Sequence, residues 1–379
     1  MRELQVVEAE PAHLLEALRS ALSGDGPAIF PIGVGAAPPT ALPSTVPQRI
    51  AAVVETSGST GRPKRVMLSA SALLQSSAAV QSTLDGPGRW LVTLPGHWIA
   101  GLGVLVRSLA MQSTPIVDAG NGMNPESFAA AAALLDPTQR HFCSLVPAQL
   151  EHLLADPDST DALRGMHRIL LGGQAAHPQL LVRARDAGLR VTTTYGSSET
   201  SGGCVWDGHP IGDAVIEIID GRIHLRGSML AEGYLDDPDR EADAFVELPD
   251  ADGMLHRWYR TDDAGHLDGD RLVITGRLDE VIISGGVKLD LRELAAFVAA
   301  CPGVGEVAVV ALTHPIWGQV PGVAVTGEID DDALHTAVVG TLGRAAGGLE
   351  IVRIKTMPLT PTGKRDRVAI VAAFGHPSI

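Results

Sequence analysis

Short β-branched runs alternate with Ala- and Leu-rich stretches of helical spacing over most of the chain. RIAAVVET at 49–56 and RWLVTLP at 89–95 predict strands, whereas SASALLQSSAAVQSTL at 69–84 predicts a helix with Ser69 as its N-cap. A further helix is predicted from about 101 to 111, and the same alternation continues to RVTTTYG at 190–196. Strands separated by helices of this length indicate βαβ units, and therefore a mostly parallel sheet with helices on both faces.

The pattern changes after residue 205. AVIEIIDGRIHLRG at 214–227 predicts a β-hairpin with its turn at Asp220-Gly221, and RLVITGRL at 271–278 predicts another strand. From about 279 to the end, a smaller set of helices and strands repeats the α/β pattern. We therefore predict an α/β fold: a large N-terminal domain with mostly parallel sheets, helices and a β-rich part, followed by a small α+β domain.

Composition narrows the class of protein. The chain has 379 residues with 44 acidic and 29 basic side chains, a net charge of −15, which argues against nucleic acid as a partner. It leaves room for a nucleotide site, because backbone N–H groups and a few cations can bind phosphate. No apolar run is long enough to insert into a membrane, and the acidic N-terminal stretch is unlike a signal peptide. Three scattered cysteines without metal spacing favour reduced thiols in a cytoplasmic protein.

A hydroxyl- and glycine-rich segment follows the strand at 49–56. Its bare backbone suits a polyphosphate, although a Ser/Gly-rich surface turn is the simpler alternative. It is not a Walker A loop, because Pro63 precedes Lys64 and Arg65 follows it. The candidate ATP-binding residues of this segment are Thr56, Ser57, Gly58, Ser59, Thr60, Gly61 and Lys64.

Residues 56–64 resemble the signature Thr/Ser-Ser-Gly-Ser/Thr-Thr-Gly-x-Pro-Lys of the adenylate-forming superfamily, which contains acyl-CoA synthetases, adenylation domains and luciferases. Downstream, Tyr195-Gly196-Ser197-Ser198-Glu199 is similar to the Tyr-Gly-x-Thr-Glu of that family, with Ser198 in the Thr place. The resemblance implies that the Tyr195 ring stacks on adenine beside Gly196, that Ser198 meets the α-phosphate and that Glu199 holds Mg²⁺. A strand-end turn around a core tyrosine is the structural alternative.

Two further motifs resemble the ribose-binding part of the family. Tyr259-Arg260-Thr261-Asp262-Asp263 is similar to Tyr-Arg-Thr-Gly-Asp, with Asp262 replacing the Gly. Gly276-Arg277-Leu278-Asp279 is similar to the next motif. The resemblance implies that Asp263 and Arg277 bind the ribose, and that Asp279 is an interdomain hinge between an ATP- and acid-binding domain at 1–277 and a mobile domain at 279–379.

The remaining motifs lie in the predicted mobile domain. Ile282-Ile283-Ser284-Gly285-Gly286 carries Ile283 where many relatives have Lys, and Gly285 and Gly286 are expected to border the tunnel for CoA. The stretch ending at Lys364 resembles the terminal Pro-x-Thr-x-x-Gly-Lys. The resemblance assigns Lys364 to the substrate carboxylate and the α-phosphate as a catalytic residue, with Glu199 as the second. A solvated surface lysine is the alternative.

The place where the family lines its acyl pocket is occupied by LPGHWIAG at 94–101. Arg107 lies six residues after Gly101 and suits an acid with a second carboxylate, although a surface arginine covering apolar residues is an alternative. This region, with ILLGG at 169–173, resembles short bacterial o-succinylbenzoate–CoA ligases of menaquinone biosynthesis. Relatives often have Tyr-His or His-His where this chain has His97-Trp98. Which of these two rings contacts the acid therefore stays open. The residues expected there are His97, Trp98, Arg107 and Gly172 for the acid, with Gly173 and Gln174 for ATP.

The resemblance therefore implies an enzyme, an AMP-forming acid–thiol ligase using ATP, Mg²⁺, CoA and a small carboxylic acid. The first subdomain is shorter than in most relatives, so a homodimer partner is one candidate for closing that flank. Three alternatives remain: a ligase for another aryl or dicarboxylic acid, a nonenzymatic nucleotide-binding regulatory protein, and a kinase-like protein that forms ADP rather than AMP.

Overall fold

A computed structural model describes residues 1–56, 63–84, 86–250, 252–284, 286–343, 348–359 and 365–375. The chain divides into two compact units, which are described separately. The larger unit contains residues 1–56, Pro63–Thr261 and His266–Val273, and the smaller contains Asp262–Gly265 and the described residues from Ile274 onward. None of the described helices combines the length and the apolar character that crossing a bilayer requires.

The first sheet of the larger unit is mixed. Strands β3, β1, β2, β4 and β5 lie side by side, with β2 parallel to both β1 and β4 but β3 and β5 antiparallel to their neighbours. The expectation of mostly parallel strands does not hold here, because β4 and β5 are joined directly as a hairpin, which forces them to run in opposite directions. The predicted helix with Ser69 as N-cap is confirmed. The elements are β1 (Arg2–Glu8), α1 (Pro11–Ser23), β2 (Ala28–Ile32), β3 (Thr45–Val46), β4 (Ile50–Thr56), β5 (Lys64–Ser69) and α2 (Ala70–Thr83).

The second sheet confirms the predicted parallel arrangement. Strands β7, β6, β8, β9 and β10 are parallel in that order, and β11 and β12 extend the sheet in antiparallel fashion. The elements are β6 (Arg89–Val92), α3 (Ile99–Ala110), β7 (Ile116–Val117), α4 (Pro125–Ala132), β8 (His141–Leu145), α5 (Pro147–Leu153), α6 (Pro157–Arg164), β9 (Arg168–Leu171), α7 (Pro178–Asp186), β10 (Val191–Ser197), β11 (Gly202–Trp206) and β12 (His209–Pro210).

The β-rich part forms a third sheet in the order β13-β14-β17-β16, and β18 pairs with β17. Ile219 pairs with Arg222, so the predicted hairpin turn at Asp220 and Gly221 is confirmed, with φ angles of 51° and 76°. Strand β15 joins the first sheet beside β5. The elements are β13 (Val215–Ile219), β14 (Arg222–Arg226), β15 (Gly233–Tyr234), α8 (Pro238–Ala244), β16 (Phe245–Pro249), β17 (Leu255–Asp268) and β18 (Arg271–Arg277).

The smaller unit has its own sheet and its own apolar core. The sheet runs β20-β19-β22-β21, and β23 pairs in parallel with β22. Apolar side chains from both faces, including Leu294, Val323 and Ile370, are fully buried. The predicted α/β class with an α+β C-terminal part is confirmed. The elements are β19 (Val281–Ser284), β20 (Val287–Asp290), α9 (Leu291–Ala299), β21 (Val304–His314), β22 (Gly318–Gly327), α10 (Asp331–Leu342), β23 (Glu350–Arg353) and α11 (Arg367–Ala373).

Candidate active site

The base of the predicted phosphate loop is a pair of strand residues in the larger unit. Thr56 ends β4 and Lys64 begins β5, and the two residues are opposite each other in the hairpin register. The two strands therefore hold both ends of the segment close together. The predicted residues between them, Ser57, Gly58, Ser59, Thr60 and Gly61, lie outside the described residues.

Glu199 lies where this hairpin meets the second sheet. Its side chain is buried, with the residue only 5% exposed, and its Oε1 accepts a hydrogen bond of 2.7 Å from the Tyr234 hydroxyl. The Lys64 Nζ lies 3.9 Å from the same oxygen and 5.9 Å from the centre of the Tyr234 ring. The backbone also links these elements, because Ala231 N donates to the Glu199 carbonyl at 2.8 Å. A cation, a carboxylate and a phenol therefore converge at the base of the loop.

A one-turn 3-10 helix, Ser198–Thr200, presents this carboxylate at the end of β10. The buried Thr200 Oγ1 accepts from Ser197 N at 2.9 Å and donates to the Gly202 carbonyl at 2.7 Å. A Cβ on Gly196 would lie 2.1 Å from that same carbonyl oxygen, so no larger residue fits. The Ser197 Oγ is buried and has no partner among the described residues, so this turn offers a hydroxyl to a ligand.

The end of β9 lies beside the end of β10. Leu171 pairs with Thr193, which places Gly172 and the half-buried Tyr195 at the same edge of the sheet. A Cβ on Gly172 would lie 2.3 Å from the Thr194 Oγ1, so this close approach requires glycine. Gly173 has a φ of 82° and is exposed with Gln174. The predicted nucleotide residues Gly173, Gln174 and Tyr195 thus share the carboxyl edge of a parallel sheet, the usual place for ligands in such folds.

Arg107 is buried in the larger unit, and none of the described carboxylates forms an ion pair with it. The residue is 8% exposed, its Cζ lies 4.3 Å from the centre of the Trp90 ring, and its Nε has no hydrogen-bond partner among the described residues. Burial lowers the pKa of Arg107 to about 9, and no described carboxylate offsets this effect. The alternative of a surface arginine is therefore wrong.

The other residues predicted for the acid lie at the start of α3. Trp98 occupies the N-cap position, and its ring packs edge-on against His97 with 4.9 Å between ring centres. The half-buried His97 has no partner for its Nδ1 among the described residues, and burial lowers its pKa. The imidazole is therefore neutral at pH 7. Gly101 lets the helix start close to the preceding turn, since a Cβ there would lie 2.2 Å from the Pro95 carbonyl oxygen.

In the smaller unit, Arg277 is surrounded by carboxylates. Its guanidinium lies 2.8 Å from Asp279, 3.4 Å from Asp263 and 3.5 Å from Asp262. Burial alone favours the neutral form, but the hydrogen bond to Asp279 and these charges raise the pKa of Arg277. The predicted ribose residues Asp263 and Arg277 are thus brought together, and Asp262, the departure from the family pattern, adds a further carboxylate.

Asp279 also approaches a second arginine. Its carboxylate lies 3.7 Å from Arg367 at the start of α11, and the two guanidinium groups outweigh burial and lower the pKa of Asp279. Gly286 has a φ of 83° with open space around its Cβ position. The predicted residues Lys364 and Gly285 lie outside the described residues.

Two side chains that contact these residues, Tyr234 and Trp90, lie outside the motifs and were not predicted. The chain has three tyrosines, and two of them, Tyr195 and Tyr259, lie in motifs, so the rarity of the residue was a signal that could have pointed to Tyr234. Trp90 lies in a predicted strand and has no feature in the sequence that separates it from other core aromatics.

Comparison with protein families identifies the class. A family model described as AMP-binding enzyme matches residues 5–235, and one described as AMP-binding enzyme C-terminal domain matches residues 293–364. The chain therefore belongs to the family of AMP-binding enzymes. The predictions of an adenylate-forming family member and of an enzyme are confirmed, and the regulatory alternative is set aside.

Individual relatives are similar over most of the chain. A protein of Mycobacterium tuberculosis named "Probable 2-succinylbenzoate–CoA ligase" is 37% identical, with 99% of this chain and 98% of the relative covered. The sulfoacetate–CoA ligase of Cupriavidus necator is 32% identical, with 87% of this chain and 68% of the relative covered. The structure of o-succinylbenzoate CoA synthetase from Bacillus subtilis in complex with an acyl-adenylate intermediate has a TM-score of 0.71 at 21% identity, covering 96% of this chain and 87% of that one.

Proposed function

We propose that this AMP-binding enzyme is a 2-succinylbenzoate–CoA ligase. Similarity over nearly the full length of a relative with that name supports the assignment. The enzyme joins the succinyl carboxylate to CoA with the consumption of ATP. The product contains a thioester and retains the carboxylate of the aromatic ring.

The observation that supports the choice of acid is the buried guanidinium of Arg107, which has no ion-pair partner among the described residues. A buried charge without a partner is costly, and the described part of the chain supplies no carboxylate to neutralise it. An acid with a second anionic group would complete the pair. The neutral His97 at the start of the same helix offers a polar group to such a substrate.

The first half-reaction makes an acyl-adenylate. An oxygen of the succinyl carboxylate attacks the α-phosphorus of ATP, the bond from that phosphorus to the bridging oxygen breaks, and pyrophosphate leaves. In the second half, the CoA thiolate attacks the acyl carbon and the bond to AMP breaks. Cations and N–H groups placed around the developing charge lower the barrier of the first step.

The residues of the larger unit suit these roles. Thr56 and Lys64 hold the two ends of the phosphate loop in place. The positively charged ammonium of Lys64 would interact with the polyphosphate. Glu199 fits Mg²⁺, because one protein carboxylate together with substrate phosphate oxygens is a typical ligand set for this ion, and Tyr234 fixes its orientation. When bound there, magnesium would neutralise charge on the phosphates.

The smaller unit would supply the mobile residue. We assign Lys364 to the reacting carboxylate and the α-phosphate, Asp263 and Arg277 to the ribose, and Asp279 to the hinge. Alternation of the smaller unit between two positions would let Lys364 act in adenylation and then give way to the thiol, with Gly286 facing it. The interactions of Asp279 with Arg277 and Arg367 are consistent with a segment that must be held in place at each stage.

The enzyme would work in the cytoplasm, where ATP and CoA are available, and its three cysteines are free thiols. A homodimer is a further part of the proposal. Size-exclusion chromatography with light scattering tests it, and a monomer at all concentrations would remove it.

An acid screen with product identification tests the proposed function. Purified enzyme is given ATP, Mg²⁺ and CoA with 2-succinylbenzoate, sulfoacetate, malonate or benzoate, and nucleotide products are separated. We expect AMP, pyrophosphate and a succinylbenzoyl thioester, with turnover of 2-succinylbenzoate far above that of the other acids. Formation of ADP, or fast turnover of another acid without turnover of 2-succinylbenzoate, would contradict the proposal.

A second candidate is a CoA ligase for a different small acid with a second anionic group. The observation in its favour is the 32% identity to a sulfoacetate–CoA ligase, because a sulfonate would pair with Arg107 as a carboxylate does. Preference for sulfoacetate in the screen would select it.

A further inference from the structure

The buried cation of the proposed acid site rests on an aromatic ring that lies outside the family motifs. The Trp90 side chain is fully buried in β6, and the Arg107 guanidinium lies over its face at 4.3 Å from the ring centre. Phe142 of β8 packs beside the same tryptophan, with 5.2 Å between ring centres. A buried cation over an indole face gains energy because little water competes with it.

Gly103 shows in which direction the guanidinium points. A Cβ on Gly103 would lie 3.1 Å from the Arg107 Nη1 and 3.7 Å from its Cζ. Gly103 precedes Arg107 by one helical turn, so the side chain runs back along α3 toward the helix start, where His97 lies. Any side chain larger than hydrogen at Gly103 would crowd the guanidinium in this position.

We propose that Trp90 is a positioning residue that holds the Arg107 guanidinium for the second anionic group of the substrate. This inference rests on the proposed function. Trp90 acts only through Arg107: its ring fixes the plane and height of the guanidinium, while the hydrogen of Gly103 leaves space above it. Trp90 thereby determines how strongly the enzyme distinguishes a dianionic acid from a monoanionic one.

A purely structural role predicts a different result, and the chain offers a matched control for it. Trp258 is a second buried tryptophan with an arginine, Arg226, over its ring at 5.0 Å. In both pairs the indole Nε1 and one guanidinium nitrogen are buried without a partner among the described residues. Loss of either indole removes a similar core contact, but only Trp90 carries the arginine of the proposed acid site.

The experiment compares two acids that differ by one group: 2-succinylbenzoate, and 4-oxo-4-phenylbutanoate, which lacks the ring carboxylate. KM and kcat for each acid are measured in wild type, Trp90→Leu, Trp90→Phe and Trp258→Leu. We expect Trp90→Leu to raise KM for 2-succinylbenzoate about tenfold, with less than about a twofold change for 4-oxo-4-phenylbutanoate. Trp90→Phe should restore part of the loss, and Trp258→Leu should leave the ratio of the two KM values unchanged.

If Trp90→Leu fails to fold, Gly103→Ala tests the same position of the Arg107 guanidinium. The added methyl group crowds the guanidinium without removing an aromatic ring from the core. It should raise KM for 2-succinylbenzoate selectively, by a few-fold. Equal changes for both acids, or no change in either variant, would overturn the inference. If wild type does not use 2-succinylbenzoate at all, the proposed function fails instead. If the preference for 2-succinylbenzoate is lost in Arg107→Met but kept in Trp90→Leu and Gly103→Ala, only the role of Trp90 is refuted.

Discussion

At the scale of single residues, the energetics of the site depend on where charges are left unpaired. Arg107 is buried over Trp90 and has no described carboxylate to offset the loss of water. Such an arrangement weakens the free protein and is retained where a ligand completes it. Two half-buried cations of the larger unit do lie beside a carboxylate, Lys64 beside Glu199 and Arg65 beside Glu55.

Replacement of Arg107 by Met should therefore stabilise the free enzyme. Met fills a similar volume and removes the cost of the unpaired charge, so we expect the free energy of unfolding to rise by about 1–3 kcal/mol. Urea unfolding measures it. The control is Arg65→Met, which breaks an ion pair and should leave stability equal or lower. Destabilisation of the Arg107→Met variant would mean that the contact with the Trp90 ring outweighs the cost of the buried charge.

Tyr234→Phe should weaken magnesium binding with little effect on the fold. The change removes one hydroxyl and leaves Glu199 Oε1 without its 2.7 Å donor, so the carboxylate is less well oriented. We expect about a tenfold higher Mg²⁺ concentration for half-maximal pyrophosphate–ATP exchange. Glu199→Gln serves as the comparison and should lose most of the activity. An unchanged Mg²⁺ dependence in Tyr234→Phe would exclude the positioning role.

At the scale of elements, the site is assembled from strand ends. The hairpin of β4 and β5 brings Thr56 next to Lys64, and the short helix after β10 presents Glu199. Both pieces depend on backbone geometry rather than on long side chains. The site should therefore be sensitive to changes that disturb a turn, even when no ligand-binding side chain is altered.

Thr200→Val tests this dependence. Val keeps the shape but leaves the Ser197 N–H and the Gly202 carbonyl without the Thr200 Oγ1. We expect the free energy of unfolding to fall by about 1–3 kcal/mol. Adenylation should also be reduced, since Glu199 is adjacent to Thr200 in the chain. Thr83→Val, on the exposed end of α2, is the control and should change both by little. Full activity in Thr200→Val would show that the turn holds its position without this hydroxyl.

The sequence predicted elements well where local chemistry decides them. The Asp220-Gly221 turn and the Ser69 N-cap are such cases, because their residues determine the conformation of the adjacent backbone. Strand β5 was not expected, because KRVMLS mixes charged and apolar residues and its partner β4 lies in a separate segment of the chain. Pairing partners depend on the whole sheet, so the mixed order of the first sheet could not be obtained from local pattern.

At the scale of the whole molecule, we propose that the two half-reactions use two arrangements of the same chain. Lys364→Ala should abolish adenylation while sparing most transfer to CoA from preformed acyl-adenylate. In the proposed mechanism the Lys364 ammonium would stabilise charge only in the first step. Pyrophosphate–ATP exchange and thioester formation from supplied adenylate measure the halves separately, with Lys355→Ala as the control. Equal loss of both halves would contradict the assignment.

Much of the candidate site was predictable because motif residues keep their order along the chain. Glu199, Asp263 and Arg277 were predicted in this way, and the structure brings Asp263 and Arg277 together. Tyr234 and Trp90 were not predicted, since each contacts its neighbour, Glu199 or Arg107, only in the folded chain. The contact between Tyr234 and Glu199 joins residues 35 positions apart, and the contact between Trp90 and Arg107 depends on how helix α3 packs against strand β6.

The central claim is that Arg107 recognises a second anionic group of the acid. The most direct measurement is kcat/KM for 2-succinylbenzoate and for 4-oxo-4-phenylbutanoate in wild type and Arg107→Met. We expect wild type to prefer the dianionic acid by about a hundredfold, because a charge-assisted pair is strong. Arg107→Met should reduce the preference to about threefold or less. An unchanged preference in Arg107→Met would contradict it.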